Sequence, residues 1–289
     1  MPSLPLRPGT FVILALALAI ALSACGGSSA PSQSQAKSKK TAASGTSNHL
    51  SLVSPGYLTV GSDTSYPPME SKDPQTQQYV GADIDLAKVL ALAMGLKGAR
   101  ISSATFDSLI PSLRAKRFDV IMSSMNDNPE RAKQVAFVDY MTATMGILVK
   151  KGSPIKANSY SDLCGHSVAV ERGTVEQQDL ISANNSCSSK MNILVSAADS
   201  DAYQAFNSGH ADSYTSDLPV VRFYVDKYST RYQLAGKPIS ANANYGIALN
   251  KNNGALKTAL QEALAKIRGN GTYTRILKKW GVAGAALKK

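Results

Sequence analysis

The sequence predicts an α/β fold with parallel sheets covered on both faces, and three observations carry that prediction. From Tyr57 onward, short β-rich runs alternate with helical periods, the strand, helix, strand order of parallel sheets. The helical segments have readable starts and stops. The length, 289 residues with 44% hydrophobic and 18% charged side chains, is too apolar for disorder and sufficient for two lobes with separate cores.

In chain order, β-branched and aromatic runs predict strands at 57–61, 100–104, 119–123, 145–149, 167–170, 193–196, 211–215 and 245–249. After the first strand, Asp83 is expected to cap a helix with Leu86, Val89, Leu90 and Ala93 on one face, and Gly95 stops it. Asp107 is expected to cap the next, with Pro111 tolerated in its first turn. Near the end, Leu256, Leu260, Leu264 and Ile267 form an apolar stripe stopped by Gly269, and Thr272 is expected to cap a last helix carrying Ile276 and Trp280.

The first fifty residues read as an address and a tether. Arg7 precedes an apolar run from Phe11 to Leu22, roughly eight residues short of a membrane-spanning helix, as in an export signal. Leu22-Ser23-Ala24-Cys25 followed by Gly26 resembles the lipobox of bacterial lipoproteins, which implies cleavage after residue 24 and lipid on Cys25. An ordinary signal with a coincidental Cys is the alternative. Residues 25–49 lack Leu, Ile, Val and aromatic side chains and are expected to be a flexible leash with a reach on the order of 27 Å. Export to the outer face of the cell membrane follows.

The formal charge of +11 does not indicate nucleic acid. Four basic residues precede residue 50, and the rest carry 27 basic against 20 acidic residues, scattered without a stripe. With Cys25 assigned to lipid, Cys164 and Cys187 remain; a disulfide and two buried thiols are both open readings. His49, His166 and His210 show no metal-ligand spacing, and no metal or cofactor is expected.

Ligands of open α/β sheets bind beyond the strand ends, so the turns there are the candidate site. In Ser123-Ser124-Met125-Asn126-Asp127-Asn128-Pro129-Glu130-Arg131, Asn128 caps, Pro129 takes the first helical position and Arg131 opposes the helix dipole. A bound carboxylate would explain that arginine, as would pairing with Glu130 or Asp127. Gly173-Thr174-Val175-Glu176-Gln177 opens another helix, and Asp217 can cap a third or meet an ammonium group. Asp63, Tyr66 and Phe106 lie at neighbouring turns.

Five co-linear segments, Tyr57–Met69, Val80–Ala87, Phe106–Leu113, Pro129–Val135 and Gly271–Trp280, resemble family 3 solute-binding proteins over about residues 55–281. The resemblance implies a two-lobed, periplasmic-binding-protein-like type II fold, with lobe 1 at 50–142 plus 244–289, lobe 2 at 143–243, and a ligand cleft between lobes joined by two hinge strands. It implies a monomeric, non-enzymatic receptor that takes a free amino acid, polar or cationic, and delivers it to the membrane permease of an ATP-binding cassette importer. By the same resemblance Arg131 grips the ligand carboxylate with help from the Ser123, Ser124, Met125 and Asn126 segment, Thr174 and Val175. Asp217 receives the ammonium group, Tyr66 and Phe106 flank the side chain, and Asp63 stands where relatives for cationic ligands place an acid. Met69, Ala82, Asn126-Asp127-Asn128 and Val175-Glu176 depart from the common pattern, which leaves the roles of Asp127, Arg172 and Glu176 open. A solute sensor without transport and a dehydratase on the same scaffold are the competing readings.

Overall fold

The computed structural model describes residues 50–287; the expected signal 1–24, lipid site Cys25 and tether 25–49 lie outside the described residues. Strand β1 (Tyr57–Ser62) leads through a small antiparallel sheet of β2 (Ser65–Tyr66), β3 (Glu70–Lys72) and β4 (Tyr79–Val80) into helix α1 (Ala82–Ala93). Then follow β5 (Gly98–Ser103), α2 (Phe106–Arg114), β6 (Val120–Ile121), the short α3 (Pro129–Ala132) and β7 (Ala136–Lys150). Next come β8 (Ser167–Glu171), α4 (Val175–Asn185), β9 (Asn192–Ser196), α5 (Asp199–Asn207), β10 (Ser213–Asp217) and α6 (Leu218–Lys227). The chain closes with β11 (Tyr232–Leu234), β12 (Ile239–Leu249), α7 (Gly254–Gly269) and α8 (Thr272–Lys279).

Two long strands organise everything else. The sheet order is β5-β1-β6-β12-β7-β10-β8-β9, with β11 also on β7. The first part of β7, Ala136 to Asp139, pairs with Gly246 to Leu249 of β12, which in turn pairs with β6; its later part, Met145 to Val149, pairs with β10. At about 3.3 Å per residue, the fifteen residues of β7 span roughly 50 Å, enough to serve two halves in succession. The first half is β5-β1-β6 with the ends of β12 and β7; the second is β7-β10-β8-β9. Within each half the flanking pairs, β1 with β5 and β6, and β8 with β9 and β10, are parallel. This mixed sheet agrees with the predicted α/β class and the two-lobed type II arrangement.

The helices cover both faces. Leu256, Leu260, Leu264 and Ile267 of α7 are buried as their spacing predicts, packed with Leu86 and Leu90 of α1 in the largest core. Phe106, Leu109 and Leu113 of α2 cover the opposite face of the first half. In the second half Leu163, Val168, Val170 and Leu180 form a separate cluster sealed by the Cys164–Cys187 disulfide, with Cα atoms 5.5 Å apart, which decides between the two cysteine readings.

The caps differ from expectation in physically informative ways. Gly81, not Asp83, precedes α1: a Cβ there would lie 2.1 Å from the Met69 carbonyl oxygen, so glycine permits the close crossing of the two segments. Asp83 is drawn away to buried donors described below. Thr105 precedes α2, so Pro111 is interior rather than in the first turn and removes one helical hydrogen bond. Gly271, at φ +76°, precedes α8, and Thr272 is its first residue. The strand expected at 119–123 is only Val120–Ile121, and the one expected at 145–149 is the tail of β7. Among the described residues no helix is long and apolar enough to cross a membrane.

Candidate functional site

The carboxyl ends of β1, β6, β8 and β10 converge where the two halves meet, as the strand-end rule requires. Asn128 caps α3 by accepting from the Arg131 N–H at 2.9 Å, which holds the start of the Arg131 side chain. The guanidinium is 6% exposed. It donates through Nη1 to the Asn126 carbonyl at 3.1 Å and through Nη2 to the Gly173 carbonyl of the other half at 3.1 Å, with its carbon 5.1 Å from the Phe106 ring centre. Glu130 pairs with Lys133 instead, at 2.6 Å, so the expected surface pairing of Arg131 is not what occurs. Burial lowers Arg131 to about 10, against the charges of Glu176 and Asp217.

Opposite it, Thr174 caps α4: its hydroxyl accepts from the Gln177 N–H at 3.2 Å and donates to the Glu171 carbonyl at 2.9 Å. Gln177 accepts from the Gly173 N–H at 2.8 Å. Gly173, at φ +81°, lies against Asp107, to which a Cβ would come within 3.0 Å. Val175 turns its side chain into the second half's core. Asp217 does not cap α6 with its side chain; it accepts from the Tyr245 hydroxyl at 2.7 Å and is raised well above the carboxylate range by burial, then by Glu176.

Asp63 accepts from the Ser65 hydroxyl at 2.7 Å and the Phe106 N–H at 2.9 Å, and burial raises it. Tyr66 and Phe106 stand with ring centres 6.2 Å apart at 47°. Ser123 accepts from the Asp63 N–H and donates to Glu70. Ser124 adopts a left-handed conformation, φ +46°, and its hydroxyl, like the Asn126 amide nitrogen, is buried with no partner. Met125 turns its side chain into the core beneath α2 and contributes only backbone here.

Of the three residues left open, Glu176 alone is buried at this junction. Burial pushes it to about 7 and one oxygen has no donor. Asp127 is raised by partial burial and Asp139, with Lys257 opposing, and Arg172 reaches Asp107 at 3.9 Å near the surface.

Sequence reasoning missed a second layer. Asp83 accepts from the Tyr140 hydroxyl at 2.6 Å and the Ser124 N–H at 3.0 Å, and burial raises it to about 6. Glu70, fully buried and raised by burial and then by Asp83, holds Ser123. It also missed Glu171 and Asp199, which face Asp63 at the β8 end and the start of α5. The residue preceding Arg172-Gly173 is the last of a strand, a signal that could have found Glu171. Among the described residues eight acidic side chains are buried and one basic side chain, Arg131. Apart from Asp119, which holds Val53 and Thr59, these acids leave Arg131 facing an excess of buried carboxyl groups.

Comparison with known proteins agrees with the two-lobed fold. Residues 58–283 match the family described as Bacterial extracellular solute-binding proteins, family 3. The lysine/arginine/ornithine-binding periplasmic protein of Escherichia coli is 31% identical over 234 residues, 78% of this chain and 88% of that protein. A glutamine-binding protein of an ABC transporter in Bacillus subtilis is 33% identical over 213 residues, 72% of this chain and 75% of that protein. Among solved structures, an ancestral arginine-binding protein bound to arginine superposes with a TM-score of 0.73 at 32% identity, covering 78% of this chain and 98% of that one. An ancestral amino-acid-binding protein, a precursor of cyclohexadienyl dehydratase, reaches 0.68 at 34% identity over 78% and 95%. With its two halves on shared strands and its site at their strand ends, the chain belongs to family 3 of the bacterial extracellular solute-binding proteins.

Proposed function

We propose that this chain is the amino-acid receptor of an ATP-binding cassette importer, exported and held to the outer face of the cell membrane by lipid on Cys25, and acting as a monomer. Lobe 1 is 50–142 plus 244–289 and lobe 2 is 143–243. The observation that carries the reading is the pair of opposite charges from opposite lobes: Arg131 on α3 and Asp217 at the end of β10, both buried at one junction. Arg131 takes the α-carboxylate and Asp217 the α-ammonium, with the Ser124 hydroxyl, the Asn126 amide, Thr174 and the Val175 N–H completing the shell. Tyr66 and Phe106 flank the side chain, and Asp63 meets its polar or cationic end. Closing about β7 and β12 then removes water from both ion pairs, which makes a missing partner costly.

The relatives support the solute class: their names give lysine, arginine, ornithine and glutamine as ligands. A thermal-shift panel of free amino acids tests it, since a ligand at 100 times its dissociation constant adds about 2.7 kcal/mol of stability. The expected result is a shift with a cationic or polar amino acid; no shift with any amino acid, dipeptide or amine removes the reading. Glu176, poised near neutrality beside Arg131, favours one second reading, an enzyme using it as acid. Nuclear magnetic resonance of a bound ligand over hours distinguishes the two, because a receptor returns its ligand unchanged.

A further inference from the structure

Asp63 and Glu171 reach each other from opposite halves, one at the end of β1 and the other at the end of β8. Asp63 is satisfied by Ser65 and Phe106, whereas Glu171 is 1% exposed and neither of its oxygens meets a donor. Two ionised carboxylates both accept and neither donates, so their contact is a hydrogen bond only when one carries a proton. Among the described residues Glu171 forms no ion pair that would replace that proton. Arg172, next in the chain, turns out to Asp107, and Arg131 faces Glu176 and Asp217. The other charged groups facing Glu171 are Asp199 at the start of α5 and Glu176 in the first turn of α4, both acids. The same junction is tied by the Asp199 N–H donating to the Ser65 hydroxyl at 3.2 Å, so bringing the halves together brings these acids together.

We infer that Asp63 and Glu171 form a latch between the halves that closes only around positive charge, a cationic side-chain end at ordinary pH and a proton at acidic pH. The inference rests on the receptor reading and adds the basis of its charge discrimination. Burial, then Asp199 and Asp63, pushes Glu171 up to about 12 in this structure, where the halves meet around it, against roughly 4.3 for a hydrated glutamate. A group raised on closure favours closure below its closed value and loses that contribution as pH rises through it. Closing on a neutral side chain therefore takes up a proton and weakens up to about tenfold per pH unit as pH rises, while closing on a cation does not need the proton.

Arginine and citrulline, equal in shape and differing in charge, test this by calorimetry between pH 5.5 and pH 8. The expected result is that arginine binds at least 100-fold more tightly at pH 8 and that the ratio contracts at least tenfold by pH 5.5 as citrulline gains affinity. Glu171→Gln, with Glu171→Leu as a second variant should the first fold poorly, shows a smaller ratio that no longer changes with pH. A ratio independent of pH in the unaltered protein, or a contraction that survives in both variants, overturns the latch while leaving amino-acid binding in place. X-ray scattering of the ligand-free protein supplies an arm without amino acids. Compaction on acidification that Glu171→Gln abolishes supports the latch, even in a chain that binds no amino acid and so loses the receptor reading. Equal dimensions at both pH values overturn the latch.

Discussion

Two groups of buried acids sit within the same junction and differ in how they are held. Glu70 and Asp83 lie within the first half and are bonded to it: Ser123, Ser124 and Tyr140 supply their donors. Asp63, Glu171 and Asp199 are contributed by both halves, and Glu171 has no donor at all. The first group fixes the backbone of Ser123–Ser124, including the left-handed Ser124, and so shapes the wall of the cleft. Within the second group Asp63 accepts from Ser65 and Phe106 and Asp199 from Tyr214, so Glu171 alone is left to what comes between the halves. Buried acids are thus not one class, and their partners, more than their burial, separate support from recognition.

The largest expected effect breaks the balanced end of the cleft against both groups. Arg131→Ala leaves Asp217 and Glu176 without the guanidinium they face, and calorimetry is expected to show amino-acid affinity lower by at least 100-fold, about 2.7 kcal/mol or more. An unchanged affinity would remove Arg131 from the site.

Asp83→Ala strands the Tyr140 hydroxyl and the Ser124 N–H, and is expected to lower stability by about 2 to 4 kcal/mol in denaturant unfolding. Glu171→Gln is expected to leave stability unchanged or higher, because it removes a buried carboxyl that no donor satisfies. Equal losses in the two variants would erase the distinction between the groups.

Both groups bear on pH in the same direction. Asp83 at about 6 and Asp199 at about 7 are raised by burial above the roughly 3.9 of an exposed aspartate, so the folded protein holds protons that the unfolded chain has released. Their contribution is present below the unfolded value and lost as pH rises through about 6 to 7. The melting temperature of the ligand-free protein is therefore expected to be higher at pH 5 than at pH 8, and calorimetric scans at the two values check it.

The smallest effect is Tyr140→Phe, which removes one of two donors to Asp83 and is expected to cost about 1 kcal/mol in denaturant unfolding while leaving the charge preference of the cleft intact. A changed preference would join the two groups after all.

Much of this organisation was legible in the chain. Apolar spacing in α7, the Asn128-Pro129 start of α3 and the Thr174 cap of α4 are local rules, and the structure repeats them because the caps are satisfied within one turn of chain and the stripe follows the helix's own period. Asp83 was misread because its spacing fits a cap equally well, while its actual donors, Ser124 and Tyr140, are 41 and 57 residues away. The long reach of β7 was equally hidden: its first residues pair with β12 in one half and its last with β10 in the other, and nothing local marks that exchange.

By itself, then, the sequence determined the alternation of strands and helices, the caps at Asn128 and Thr174, and the candidate polar groups at the strand ends, since these depend on periodicity and on neighbours within a few residues. Only the tertiary structure decided which acids are spent on the wall and which face across the junction. That division depends on which donors long-range pairing brings near, and burial magnifies the consequence by making every unsatisfied carboxyl either protonated or in need of a cation.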